Sequence, residues 1–245
     1  MNKQQSFIVE TSTWKDVQQA LQRDLICIVP IGAASKEHGL HLPLNTDFIQ
    51  AQYLSQQLAQ NFPLIVWPVI SFGYYPAFTD YPGSWSISEQ TFINSMLDII
   101  ESIAKHGNNR IVLLNTGIST ISPLKLACKQ TPFSSRISLL NIYSGPHTRK
   151  VKDSIQQQQQ GGHADEFETS VMLAIDETLV KMELAEAGLE DIQCGSLNLS
   201  HPDQPNYCPT GSMGNPTFAS KEKGQQILDA MLEDLSEYIS RISKK

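Results

Sequence analysis

"LICIVPIGAASKEHGLHLPLNTD", residues 25–47, decides how the chain is read. Its first seven residues, 25–31, are apolar and β-branched, the pattern of a strand covered on both faces. A polar segment follows that holds Glu37, His38, His41 and Asp47. Directly after it, "DFIQAQYLSQQLAQNF" (47–62) carries helical periodicity. Strand, loop and helix in that order form half of a parallel βαβ unit. In such sheets ligands bind at the carboxyl ends of the strands, and the loop after 25–31 stands at that place.

The pattern repeats along the chain. "LIVWPVI" (64–70) reads as a second strand, pushed towards an edge or a bend by Pro68. "SEQTFINSMLDIIESIAKHG" (88–107) reads as a helix capped by Ser88 and ended by Gly107 in a left-handed conformation. Its apolar stripe is Phe92, Met96, Ile99, Ile100 and Ile103. "RIVLLN" (110–115) and "ISLLNIY" (137–143) are further strands, joined by a short helix, "PLKLACKQ" (123–130). Helices are expected over 166–175 and 220–242. The polar run "QQQQQGG" (156–162) reads as a mobile loop or lid. The expectation is one α/β domain over 1–245, with a mostly parallel sheet and helices on both faces.

Composition narrows the function classes. The 245 residues carry a formal charge of −7, with 40% hydrophobic and 18% charged residues. A nucleic-acid or anionic-membrane partner needs clustered Lys and Arg, and the only basic run is the short tail "SRISKK". No apolar stretch reaches the roughly 18 residues of a membrane span, and no signal peptide is visible in "MNKQQSFIVE". The four cysteines, Cys27, Cys128, Cys194 and Cys208, include no C-x-x-C pair. Cys27 reads as a core residue. A reduced, cytoplasmic setting is expected.

Two clusters could carry chemistry. In "KEHGLHLPLNTD", Gly39 and Pro43 break any helix, so the side chains can wrap around one point. Carboxylate oxygens and a His nitrogen suit Zn²⁺, Mn²⁺ or Fe²⁺. The competing reading has Asp47 capping the next helix and the histidines making loop hydrogen bonds. In "GGHADEFETS" (161–170), His163 can act as acid or base beside Asp165, Glu166 and Glu168. Acidic residues also favour a helix N-terminus through its dipole, which is the plainer explanation. In "LLNTGISTISP" (113–123), Asn115 and its polar neighbours can bind a substrate or cap a helix. "YYPAFTDYPGSWS" (74–86) can wall a small-molecule pocket or pack on the surface.

In this order the segments resemble the creatininase family, the creatinine amidohydrolases. "KEHGLHLPLNTD" is similar to its motif E-x-H-G-x-H-L-P-x-x-x-D, "YPGSWSI" to its P-G-T segment, and "HADEFETS" to H-A-G-E-x-E-T-S. "GSMGNPTFASKEKG" (211–224) resembles G-x-x-G-x-P-x-x-A-x-x-x-K-G, and "TSTWKDVQQAL" the family's opening. The resemblance covers nearly the whole chain. It implies a three-layer αβα fold and one or two divalent metal ions. It also implies hydrolysis of a C–N bond in a small cyclic amide or formamide, and homo-oligomers, often hexamers. Carried over, His38 and Asp47 match metal ligands, His163 a catalytic histidine, and Glu168 the glutamate of E-T-S. Asn115 and Glu166 are read as substrate-binding.

Two positions depart from the family. Its glutamate ligand, two residues before the histidine, is Lys36 here, and the histidine of its N-G-H segment is Gly117. Either a one-residue bulge brings Glu37 in beside His38 and Asp47 as the third ligand, or Lys36 fills the site with its own ammonium. "K-E-H-G" resembles a subgroup of the family. The first reading is a metal-dependent amidohydrolase acting on a small molecule. The alternative is a small-molecule-binding or regulatory protein that lacks a competent metal. A structural subunit of a larger assembly has no positive support in the sequence.

Overall fold

A computed structural model describes residues 6–107, 109–190 and 195–244; Cys194 lies outside them. Five parallel strands form one sheet in the order β1-β3-β2-β4-β5. They are β1 (Phe7–Ile8), β2 (Ile26–Ile31), β3 (Leu64–Val66), β4 (Ile111–Asn115) and β5 (Ile137–Asn141). β2, β3 and β4 are buried along their whole length, as continuous apolar runs require when helices cover both faces. Ile31 pairs with Asn115 at the ends of β2 and β4. The loops after these two strands therefore leave the sheet side by side.

Alternate strand residues feed two apolar cores. Cys27, Val29 and Ile31 of β2 pack against α1 (Trp14–Leu21), α3 (Glu89–Ala104) and α4 (Ile121–Gln130). Ile26 and Ile28 pack on the other face against α2 (Thr46–Asn61), α5 (Pro146–Ile155), α6 (Glu166–Asp176) and α7 (Lys221–Ser243). This is the expected three-layer α/β arrangement. Among the described residues, no helix is long and apolar enough to cross a membrane.

Proline sets the limits of β3. The carbonyl of Pro30 accepts from Ile70 N at 2.8 Å, so its ring nitrogen also faces β3. β3 ends at Val66, before Pro68, so the ladder stops before it would need the N–H that Pro30 lacks. Ser88 caps α3 through Thr91 N, as read from the sequence. The expected end of that helix is corrected. α3 stops at Ala104, and Gly107 is not in a left-handed conformation. Arg136 takes over the cap, donating to the carbonyls of Gly107 at 2.6 Å and Ala104 at 3.1 Å.

Candidate active site

Gly32 brings the two halves of the site together. A Cβ at this position would collide with the carbonyl oxygen of Asp47, so only glycine lets the start of α2 approach the end of β2. Phe48 N then donates to Ala33 O at 3.1 Å, and Thr116 Oγ1, from the β4 loop, donates to both Ile31 O and Asp47 O at 3.0 Å. Asp47 is thereby fixed at the carboxyl edge of the sheet, 1% exposed.

The segment before it folds over the same edge. Ser84 Oγ accepts from Glu37 N at 2.8 Å, which anchors the segment to the "YPGSWS" loop. Gly39, at φ +70°, turns its N–H back onto the Glu37 carboxylate. His38 is fully buried, and its Nδ1 lies 2.7 Å from the carbonyl oxygen of Lys36. A carbonyl only accepts, so Nδ1 carries the proton and Nε2 presents a lone pair. Nε2 stands 3.3 Å from Asp47 Oδ1 and 3.7 Å from Glu168 Oε1.

His163 and Glu168 come from the start of α6. Ala164 takes a left-handed φ of 45°, and its N–H donates to Glu168 Oε2 at 2.7 Å. Asp165 caps the helix by accepting from Phe167 N and Glu168 N. His163 Nε2 lies 3.0 Å from Glu37 Oε2, and its Nδ1 lies 3.7 Å from Glu168 Oε2. One donor atom from each of His38, His163 and Glu168 falls within 4.8 Å of the others.

The expected convergence of Glu37, His38 and Asp47 is therefore not the arrangement found. Glu37 turns to His163, held there by the Gly39 turn, and Lys36 Nζ stands 2.7 Å from Asp47 Oδ2. Asn115 ties the β4 loop together, bonding Gly117 O, Asn141 Oδ1 and the Thr120 hydroxyl. Glu166 accepts from Gln157 N, Gln158 N and Lys223 Nζ. Neither Asn115 nor Glu166 lines the cavity beside the cluster. The glutamine run, expected as a mobile loop or lid, braces α6. The Gln158 amide donates to Asp165 Oδ2 and accepts from Asn215 N. His41, which shared the opening cluster, bonds Thr169 Oγ1 at 2.7 Å inside the protein, in agreement with the loop-bonding alternative.

The electrostatics follow from burial. Burial works against the Lys36 charge, but Asp47, then Glu168 and Glu37, outweigh it and raise its pKa above the ordinary lysine value. Burial likewise opposes the Asp47 charge, but the Lys36 ammonium outweighs it and holds the carboxyl far below the usual range. For Glu37, His163 and the Gly39 N–H overcome burial and lower the pKa. A cavity of about 260 Å³ opens on Lys36, Asp47, His163 and Glu168, walled by Phe78 and Phe167 among others. Phe78 lies in the aromatic 74–86 segment, and its ring centroid is 4.3 Å from that of His163.

A parallel sheet whose carboxyl edge gathers two histidines and three carboxylates around a cavity places the molecule among the three-layer α/β proteins that bind ligands at that edge. The chain belongs to the creatininase family, whose model, described as creatinine amidohydrolase, matches residues 10–239. It is 26% identical over 260 residues to the creatinine amidohydrolase of Pseudomonas putida, covering 96% of each chain. It is 23% identical over 266 residues to the 3-dehydro-scyllo-inosose hydrolase of Thermotoga maritima, covering 96% of this chain and 83% of that one. The solved structure of a mutant creatininase of the Zn–Zn type superposes with a TM-score of 0.80 at 23% identity, covering 97% of this chain and 98% of that one.

Proposed function

We propose that the protein is a metal-dependent hydrolase that cleaves a C–N bond in a small cyclic amide or formamide. The observation that carries this reading is His38. Its Nε2 is buried, has no hydrogen-bond partner, and holds its lone pair towards two carboxylates. A neutral imidazole with carboxylate neighbours and a carbonyl on its other nitrogen is the donor set of a divalent metal site. The residues present therefore fit such an ion, with His38 and Glu168 as its holders and Asp47 Oδ1 beside the same imidazole nitrogen. When bound, a divalent ion there would polarise the amide carbonyl and make a water molecule more acidic. Membership of a family whose named relatives are hydrolases supports the same reading.

The remaining chemistry belongs to this chain's own side chains. The Glu37 carboxylate fixes the proton of His163 on Nε2, leaving Nδ1 as the basic nitrogen. His163 takes the proton of the attacking water and returns it to the leaving nitrogen, a role worth roughly 10²–10⁴ in rate. Glu168, with Oε2 held by Ala164 N, keeps Oε1 aimed at His38. Phe78 and Phe167 give the cavity apolar walls that suit a small substrate.

The test is hydrolysis of a panel of cyclic amides and formamides, creatinine included, together with elemental analysis of protein purified without chelator. His163→Ala is expected to stay folded and lose turnover. Unchanged turnover would refute its role. One observation favours a second reading, a binding protein without competent metal: Lys36 Nζ sits on Asp47 Oδ2. Metal well below one ion per chain and no turnover would support it. Homo-oligomerisation is carried over from the family resemblance, and light scattering tests it.

A further inference from the structure

We infer that the Lys36 ammonium permanently fills one of two cation positions on Asp47, so that this chain takes a single divalent ion, held by His38 and Glu168 beside Asp47 Oδ1. The inference rests on the hydrolase reading above and gives it a count.

The argument is how the side chains divide between the two oxygens of one carboxylate. Lys36 Nζ stands 2.7 Å from Oδ2, with both side chains buried. On the same oxygen, Gly117 offers no donor: a Cβ there would lie 3.9 Å from Oδ2. The two positions that depart from the family motif, Lys36 and Gly117, therefore meet at Oδ2. The retained histidine faces the other oxygen, with His38 Nε2 at 3.3 Å from Oδ1 and 3.7 Å from Glu168 Oε1. One side of Asp47 has lost its metal donors and gained a cation, while the other keeps its donor set.

Lys36 also lines the cavity, with Nζ 5.0 Å from the centre of the Phe78 ring, so its charge faces the place where substrate would sit. Unlike an ion, it cannot dissociate.

Titration of the purified, dialysed protein with Mn²⁺, followed by electron paramagnetic resonance and by elemental analysis, is expected to saturate at one ion per chain. Saturation at two, with hydrolysis intact, overturns the Lys36 inference and leaves the hydrolase reading standing. No saturable binding overturns both. Lys36→Met, purified with Mn²⁺ present, separates electrostatic replacement from structural support. Loss of a like charge beside the ion is expected to tighten Mn²⁺ binding at least tenfold. Unchanged or weaker binding by a folded variant would mean that Lys36 only props the loop, and the inference fails. The wild-type count decides the question even if the variant does not fold.

Discussion

Lys36 and Glu37 are neighbours in the chain with opposite fates: the ammonium lies on Asp47 and the carboxylate on His163. Spacing alone could not assign them, because either residue can reach the His38 side once the loop bulges. The Gly39 turn and the Ser84 hydroxyl decide it, and both are contacts between side chain and backbone. Glu37→Gln keeps the shape but removes the charge that orients His163. It is expected to lower kcat about 10–100-fold with little change in KM, as measured by steady-state kinetics. His41 gives a test of stability. Burial lowers its pKa from 6.5 to about 4. The unfolded chain therefore binds more protons than the folded one between these values. Stability is full above pH 6.5 and falls as pH drops from 6.5 towards 4, by on the order of 3 kcal/mol if the whole shift is realised. His41→Gln is expected to flatten that part of the slope in denaturant titrations, and an unaltered slope would exclude His41 as its source.

At the scale of elements, strands and long helices were legible because their periodicity is set by burial. β2, β4, α6 and α7 all lie within a residue or two of the segments expected. α1 and α5 were not read. Their signals were local: the Thr13–Asp16 capping box and Pro146 at the first position of α5. The end of α3 was misplaced because its cap comes from Arg136, about thirty residues on, where no local pattern reveals it. The contact between β2 and α2 is the one on which the site stands. Gly32→Ala would push Asp47 off the strand end. It is expected to cost about 1–3 kcal/mol of stability and to weaken metal binding in the same variant. Calorimetry and Mn²⁺ titration check the two effects separately. Asp165→Ala removes the cap of α6 and is expected to cost about 0.5–2 kcal/mol.

At the scale of the molecule, the fold class followed from strand–helix alternation, and the residues of the site from two short motifs. How those motifs face each other did not follow, since it depends on pairs far apart in sequence. Glu37 and His163 are separated by 126 positions, and His41 and Thr169 by 128. Chelation with EDTA, followed by dialysis, is expected to lower the melting temperature, and added Mn²⁺ to restore it, because an ion that binds only the folded state stabilises that state. The long separations also matter during synthesis. α6 rests on α7, where Gly224 lets the two helices cross at Ser170, and α7 is made after α6. On the ribosome, the half of the cluster on residues 36–47 therefore emerges well before its counterpart has a support, and a nascent polypeptide stalled before residue 221 would carry His163 and Glu168 on an α6 that α7 does not yet brace.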